Sequence, residues 1–489
     1  MLPFVLLGIP AATGLGCLLL VRKPIVQVLN LLGATSTIIL GLTLAARVFT
    51  QGPISGLNGL LYIDALSAFV LVVVSLVTFL AALYSVGYMG REAEEGIITE
   101  KQLSRYYLWF HLFVFTMLTS LMANNLGVLW VAIEATTLAS ALLVGFYNKE
   151  TSLEAAWKYI IICTVGITFA LFGTILAYYS SVRVLGEASD ALNWTTLMQV
   201  AKHLDPKLMK LSFVFILVGY GTKAGLAPMH TWLPDAHSQA PSPVSAVLSG
   251  VLLNCALYGI IRFHIITSGA LGPEYSSRLL LIFGLLSVGL AIPFIAVQSD
   301  FKRLLAYSSV EHMGIIATGL GIGGRLGFYG AMLHLFNHAV GKCLMFFVAG
   351  NLTQKYKTRK IARIRAALQT MPVTGVVLIV GAFAIGGTPP FNIFLSEFII
   401  ASASFKQGNF LAGTLFLLFI ALIFVGITYH LSKMAFGKAK GRIVRGELNV
   451  WTAVVLLVPL FFVLTMGVYV PPLMDNVLGQ VVAVLKGGQ

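Results

Sequence analysis

The stretch GTKAGLAPMHTWLPDAH, Gly221 to His237, decides how this chain is read. It lies inside an apolar run that begins near residue 208, and its glycines and prolines break the ladder of backbone hydrogen bonds that a helix needs. Irregular backbone at membrane depth survives only where protein buries it or a water-filled cavity meets it. A second run is interrupted in the same way at GGTPPFNIFLSEF, Gly386 to Phe398. Shifting the sequence by 162 pairs Val218 with Val380, Gly219 with Gly381, Gly225 with Gly387 and Pro228 with Pro390, and continues to Leu233 with Leu395 and Asp235 with Glu397. Interrupted spans at corresponding places in two halves point to inverted repeats with an ion site at their interface.

Working outward, hydrophobic residues fill 58% of the 489 positions and charged residues only 10%, which excludes a soluble globular protein and leaves an all-α polytopic membrane protein. Stretches able to cross about 30 Å of hydrocarbon number fourteen, starting near residues 2, 26, 60, 107, 126, 156, 208, 244, 276, 302, 326, 372, 409 and 450. The first has no basic residue before it and no small-residue cleavage site after it, so it is expected to remain as a membrane helix. The expected division is helices 1 to 3 (residues 1–106), a first repeat of helices 4 to 8 (107–270), a second of helices 9 to 13 (271–436), and a basic loop with helix 14 (437–489). Each five-helix unit then carries its broken helix, 7 or 12, in fourth place. Five is odd, so the units have opposite topology.

Alternating loops hold 19 lysines and arginines on one side and 9 on the other, with Lys158, Lys223, Arg262 and Lys342 inside spans. The positive-inside rule puts the richer side, including the runs Lys355 to Arg365 and Lys433 to Arg445, in the cytoplasm and both termini outside, in a prokaryotic cell membrane. The charge is scattered over short loops facing anionic lipid or acidic subunits, and does not form a nucleic-acid surface. The polar connection from Ser180 to Lys210 then lies outside, as a cap or a contact with a neighbour. Four cysteines, Cys17, Cys163, Cys255 and Cys343, sit in apolar stretches without metal-ligand spacing, and no GxGxxG marks a strand-to-helix junction. No cofactor is expected in this chain, and redox chemistry belongs to other subunits.

Seven ionisable residues stand deep in apolar segments: Glu134, Lys223, Glu311, His334, His338, Lys342 and Glu397. Each costs roughly 2.5–3.5 kcal/mol at a helix centre, which marks them as ion or proton carriers. Glu134, about 12 Å into the fifth helix, is either the partner of Lys223 or a protonated acid bonded to Thr136, Thr137 or Ser140. Lys223, beside the first break, is pulled toward neutrality by burial and toward charge by Glu134, so a change in their separation moves a proton. His334, His338 and Lys342 follow one another at i, i+4 and i+8, a stripe suited to passing protons between imidazoles and water. Two histidines at that spacing could instead hold metal, but the sequence offers no third ligand and Lys342 repels a cation. Glu397 either releases protons outward or caps loose backbone N–H groups. Glu311, His312 and Lys158 join the relay or simply satisfy neighbours, Lys158 having an ordinary ion-pair partner in Glu154 at i−4, and His230, Asp235 and His237 admit protons or cap the break.

Four segments, KAGLAPMHTWLPDAHSQAPSPVSA (Lys223 to Ala246), WVAIEATTLAS (Trp130 to Ser140), DFKRLLAYSSVEHMG (Asp300 to Gly314) and LFNHAVGKCLMFFVAGN (Leu335 to Asn351), resemble the antiporter-like membrane subunits shared by respiratory complex I, Mrp antiporters and group 4 membrane-bound hydrogenases. LLNCALYGIIRFH (Leu252 to His264) and GGTPPFNIFLSEFII (Gly386 to Ile400) are most similar to the F-type subunit of hydrogenase-4 and formate hydrogenlyase-like complexes. The resemblance implies a fourteen-helix fold with two inverted repeats, Glu134 and Lys223 as a paired switch, His334, His338 and Lys342 as a central hydrophilic axis, and Glu397 as the outer terminal. It also implies neighbouring membrane subunits and a peripheral hydrogenase-like module carrying a NiFe centre and iron–sulfur clusters, with protons, or sodium, as the ion moved. The alternatives are a secondary cation/proton antiporter subunit and a structural anchor that moves no ions. Asn254 stands where many relatives carry a lysine, and either water, Tyr258 or His264 bridges that gap or coupling between the halves is weakened. The chain also ends soon after helix 14, so no long lateral helix is expected to clamp its neighbours.

Overall fold

A computed structural model describes residues 2–186, 188–438 and 444–487; Lys440 and Arg442 of the last basic run, and Gln489, lie outside them. Two helices, α1 (Leu2–Leu19) and α2 (Lys23–Gln51), lead to a short antiparallel hairpin of β1 (Ile54–Gly56) and β2 (Leu61–Ile63). Asp64 then caps α3 (Ala65–Glu94) by accepting from the Ser67 nitrogen. Next come α4 (Glu100–Met122), opened by a Thr99–Gln102 capping box, α5 (Leu126–Val144), α6 (Glu150–Leu185) and the short α7 (Trp194–Gln199).

The first interruption separates α8 (Pro206–Ala224) from α9 (Trp232–Gln239). The second separates α16 (Pro372–Ile385) from α17 (Asn392–Lys406). Between them run α10 (Ser242–Val247), continuous through a π-helical turn at Leu248–Leu252 with α11 (Leu253–Leu271), then α12 (Glu274–Ala296), α13 (Phe301–Ile322), α14 (Gly324–Tyr356) and the single turn α15 (Ala367–Thr370). The chain closes with α18 (Phe410–Ala435), α19 (Val450–Val455), α20 (Leu457–Val468) and α21 (Pro472–Leu485).

Among the described residues, ten helical segments are long and apolar enough to cross a membrane, counting α10–α11 and α19–α20 as one each. The more polar α4 and α13, with the broken pairs α8–α9 and α16–α17, supply the other four spans expected from the sequence. The helix α21 was not expected. Pro471 and Pro472 end the final apolar run as a span and start a separate 14-residue helix that folds back on α3 and α14.

The two units repeat one pattern of neighbours. In the first, α4 packs on α5, α5 on α6, α6 on α8, α8 on α11, and α11 returns to α4; in the second, α12 packs on α13, α13 on α14, α14 on α16 and α17, these on α18, and α18 returns to α12. Gly225 and Gly387, paired by the shift of 162, both take positive φ (+77° and +70°), and each break carries a cis X–Pro bond, Ala227–Pro228 and Pro389–Pro390. Gly219 lets α8 touch the α6 backbone at Ala170, close packing of the kind that holds helices together in lipid. The spans α10–α11 and α14 are wholly surrounded by protein, whereas only a third or less of α1, α12 and α18 is buried.

The basic loops converge on one face: Lys23 pairs with Glu94, Arg91 and Lys357 with Glu95, and Lys355 and Arg365 donate to the carbonyls of Gly446 and Lys433. At the opposite face the hairpin and the Ser180–Lys210 connection are knitted together through Asn124 and Trp194. That connection is largely helical, since α6 runs on to Leu185 and α7 follows.

Candidate functional site

The last turn of α8 brings Lys223 against α5 and α6. Its ammonium donates to Thr137 Oγ1 (2.8 Å) and Tyr159 OH (2.6 Å) and lies 4.6 Å from the Tyr159 ring centre. Thr137 in turn donates to Glu134 Oε2 (3.1 Å), and Thr164 to Glu134 Oε1 (3.0 Å). Of the two arrangements expected for Glu134, the hydrogen bond with Thr137 is the one formed, and Thr137 links it to Lys223 without direct contact between the two charges. The reason is the register of α5: Thr137 is one turn beyond Glu134 and faces α8, while Glu134 is only half-buried and Thr164 is exposed. Tyr159, which shares a proton with Ser140 (2.7 Å), was not foreseen.

The break after Lys223 is held by side chains. Thr222 O accepts from the Trp232 indole (2.8 Å), and the Ala227 nitrogen donates to Ser287 Oγ of α12 (2.9 Å). These bonds satisfy backbone groups that the lost helical turn would otherwise leave bare.

A second cluster occupies the enclosed centre of α14. Lys342 donates to Ser308 Oγ (2.7 Å) and Leu305 O (3.2 Å) of α13. His312 Nδ1 and His334 Nε2 are 3.0 Å apart, and His334 Nδ1 is 2.9 Å from Ser396 Oγ of α17. His338 lies beside His312, ring centres 5.2 Å apart, with both of its nitrogens free of protein partners among the described residues; His312 Nε2 and Glu311 Oε2 are equally bare. Buried polar atoms without protein partners are costly unless water reaches them or protons pass over them. Glu397 closes the cluster: it, His312 and His334 offer ligand-type atoms all within 4.8 Å of one another. The third metal-capable group that the sequence spacing lacked is thus supplied by the fold, since α17 lays Glu397 alongside α13 and α14.

The halves meet at the π-helical turn, a local feature frequent at functional sites. There Ser249 Oγ bonds Ser309 Oγ (2.7 Å), and Asn254 Nδ2 donates to Gly250 O (2.7 Å), leaving Asn254 Oδ1 without a protein partner. Neither expected side-chain bridge lies there. Tyr258, one turn further along α11, bonds Ser67 Oγ (2.9 Å) and Leu121 O (3.2 Å). His264 is further still, against Ser276 Oγ (2.8 Å), where it lines a cavity of about 970 Å³ with Glu274, Lys202 and Gln407. Ten residues of helix separate Asn254 from His264, roughly 15 Å.

On the basic face, Asp235 pairs with Arg303 and, at 3.5 Å, with Lys158, whose closer partner is Glu154 at 2.6 Å. A cleft of about 290 Å³ opens there. A neighbouring cleft of about 320 Å³ contains Glu92, Lys302 and Ser238. His237, buried just inside and stacked on Phe346, has two ring nitrogens without partners among the described residues. His230 packs edge-on against Phe294 and Tyr307 instead.

One buried ion pair escaped the sequence reading. Arg262 donates to Asp64 through two nitrogens, one at 2.8 Å, and to Ser67 Oγ at 2.9 Å, while its guanidinium stacks 3.8 Å from the Trp194 ring centre. The arginine inside an apolar span was the available signal, since a buried charge needs a counter-ion, but Asp64 stands 198 residues away.

Comparison with known proteins agrees with this architecture. Residues 123–428 match the family described as NADH:quinone oxidoreductase/Mrp antiporter, TM, and residues 57–107 match the N-terminus of chain 5 of NADH-ubiquinone oxidoreductase (complex I). The hydrogenase-4 component F homolog of Methylacidiphilum infernorum (isolate V4) is 40% identical over 414 residues, 84% of this chain and 85% of that protein. Hydrogenase-4 component B of Escherichia coli (strain K12) is 31% identical over 82% of this chain, which spans 59% of that longer protein. A chain in the structure of the membrane-bound sulfane sulfur reductase, an archaeal respiratory membrane complex, shares the fold with a TM-score of 0.88 at 24% identity, covering 99% of this chain and 97% of that one. With a family match across well over half its length and a relative 40% identical over 84% of it, the chain belongs to the antiporter-like membrane subunits of the NADH:quinone oxidoreductase/Mrp antiporter family.

Proposed function

We propose that the chain carries protons across the membrane as the ion-translocating subunit of a membrane-bound, hydrogenase-4-like or complex I-like redox complex, with a NiFe centre and iron–sulfur clusters held by a peripheral partner module. The observation that carries this reading is the enclosed run on α13, α14 and α17: Glu311, Lys342, His338, His312, His334 and Glu397, several with bare polar atoms and none facing lipid. Such a set is costly to bury and serves to pass charge.

In the mechanism, a charge change in a neighbouring subunit acts first on half-buried Glu134. Its hold on Lys223 through Thr137 weakens, and Lys223 gives up its proton toward the second half. The histidines hand a proton along α13 and α14 to Glu397, which discharges it on the face opposite the basic loops. The basic face is cytoplasmic in a prokaryotic inner membrane, both termini are outside, and protons enter by the clefts at Asp235 and His237. Each charge moved against 100 mV requires about 2.3 kcal/mol, which electron transfer in the partner supplies.

The test is Lys223→Ala in the reconstituted complex. Proton movement is expected to stop while the complex stays assembled; unchanged movement makes the chain an anchor. The family description also covers Mrp antiporters, which favours a second reading as a cation/proton antiporter subunit using the same residues with protons and sodium. Iron and nickel co-purifying with the complex separate the two.

A further inference from the structure

The triad of His312, His334 and Glu397 draws on three helices and is completely enclosed. Its two imidazole nitrogens stand 3.0 Å apart, close to the roughly 3.3 Å edge of a tetrahedral site whose metal–nitrogen bonds are about 2.0–2.1 Å. The ring of His334 is fixed from outside by Ser396 Oγ on Nδ1, which points Nε2 into the triad, the kind of outer bond that orients a metal ligand. His312 Nε2 is buried without a protein partner among the described residues, so no competing bond holds that ring away from an incoming ion. The carboxylate of Glu397 is free to approach because Gly387 has no side chain in its way. Lys342, the nearby cation, is committed to Ser308 and Leu305, one turn of α13 or more from His312.

We propose that His312, His334 and Glu397 form a binding site for a divalent transition cation, Zn²⁺ above all, and that an ion there halts the proton relay. Binding displaces the proton shared by the two imidazoles onto the bare Nε2 of His312, so both rings ligate as neutral imidazoles; Glu397 joins as the carboxylate, any proton it carries leaving to water, and no electron moves. Two nitrogens and one carboxylate oxygen suit Zn²⁺ and leave a fourth position for water. Sodium and magnesium, which prefer all-oxygen shells, fit poorly. The inhibition rests on the relay reading above; the binding does not.

Binding is tested on the full-length chain in proteoliposomes and inhibition on the reconstituted complex driven by its redox partner, with Zn²⁺ alone as probe. Bound Zn²⁺ is measured by competition with a chelating dye, and proton movement by a pH-sensitive dye. One Zn²⁺ per chain is expected, bound about a hundredfold more weakly by His312→Gln, His334→Gln or Glu397→Gln. Glu397→Asp, which keeps the carboxylate one methylene shorter, should bind more tightly than Glu397→Gln, and His264→Gln, at the far cavity, should bind as the parent does; the first separates ligand loss from misfolding. Absence of stoichiometric binding, or equal weakening by His264→Gln, overturns the site. Binding with the expected pattern but without inhibition upholds the site and overturns the relay.

Discussion

The carboxylate of Glu397 occupies the space that a Cβ on Gly387 would fill, ten residues back across the second break. Gly387→Ala is therefore expected to push Glu397 away from His312 and His334 and cut proton movement by about a hundredfold, the scale of a 1 Å misplacement in a reacting group. Adding Glu397→Asp, one methylene shorter, should restore part of the rate. Gly225→Ala at the equivalent position meets Leu233 and shares the strain of positive φ, so proton-flux measurements on all three variants separate backbone strain from displacement of the acid.

Thr137 is the link between Glu134 and Lys223. Thr137→Val keeps the shape and removes both bonds, at about 1.5–3 kcal/mol for hydrogen bonds to charged groups, and should lower proton flux at least about tenfold. Thr137→Ser keeps the hydroxyl and should retain most of it. Equal fluxes in the two variants would mean that Glu134 does not act on Lys223 through this hydroxyl.

Removing one partner of a buried ion pair typically costs about 3–5 kcal/mol. Asp64→Asn should accordingly lower the temperature at which the detergent-solubilised protein loses its monodisperse gel-filtration peak, because Arg262 is left charged among Trp194 and Tyr258. The double variant Asp64→Leu with Arg262→Met should recover much of the loss.

Glu95, in the loop after α3, accepts from Lys357 first and from Arg91 second, which holds its carboxyl below the usual carboxylate range. Its lowered value means that this clasp stabilises fully above about pH 4.3 and is lost as pH falls through the folded-state value. The group is largely exposed, so Glu95→Gln should cost only a few tenths of a kcal/mol. Lower hydrogen-exchange protection in residues 93–99 of the variant than of the parent at pH 7, with the difference closing as pH falls once intrinsic exchange rates are divided out, would show it.

Much of the fold was legible because the breaks announce themselves: Gly225, Pro228, Gly387 and Pro390 sit inside long apolar runs, and no ordinary span needs them there. The central stripe on α14 was legible from helical spacing alone. What stayed hidden depends on contacts between distant segments. Nothing near His334 in sequence says that His312 and Glu397 will face it, and nothing near Arg262 names Asp64. The bridging role of Thr137 depends on the rotation of α5 about its own axis, a matter of degrees that hydropathy does not encode. Apolar composition also hid α21, since Pro471 and Pro472 stand within an almost unbroken hydrophobic tail.

The indole of Trp232 and the hydroxyl of Ser287 act as splints across the unwound segment that follows Lys223. A joint fixed at both ends does not have to melt or rewind when the field around it changes. The ammonium can answer by swinging on its own four-carbon stem, a motion far quicker than the microsecond-to-millisecond travel of whole helices. Under the proposed mechanism, the response of the lysine itself then need not set the pace of turnover.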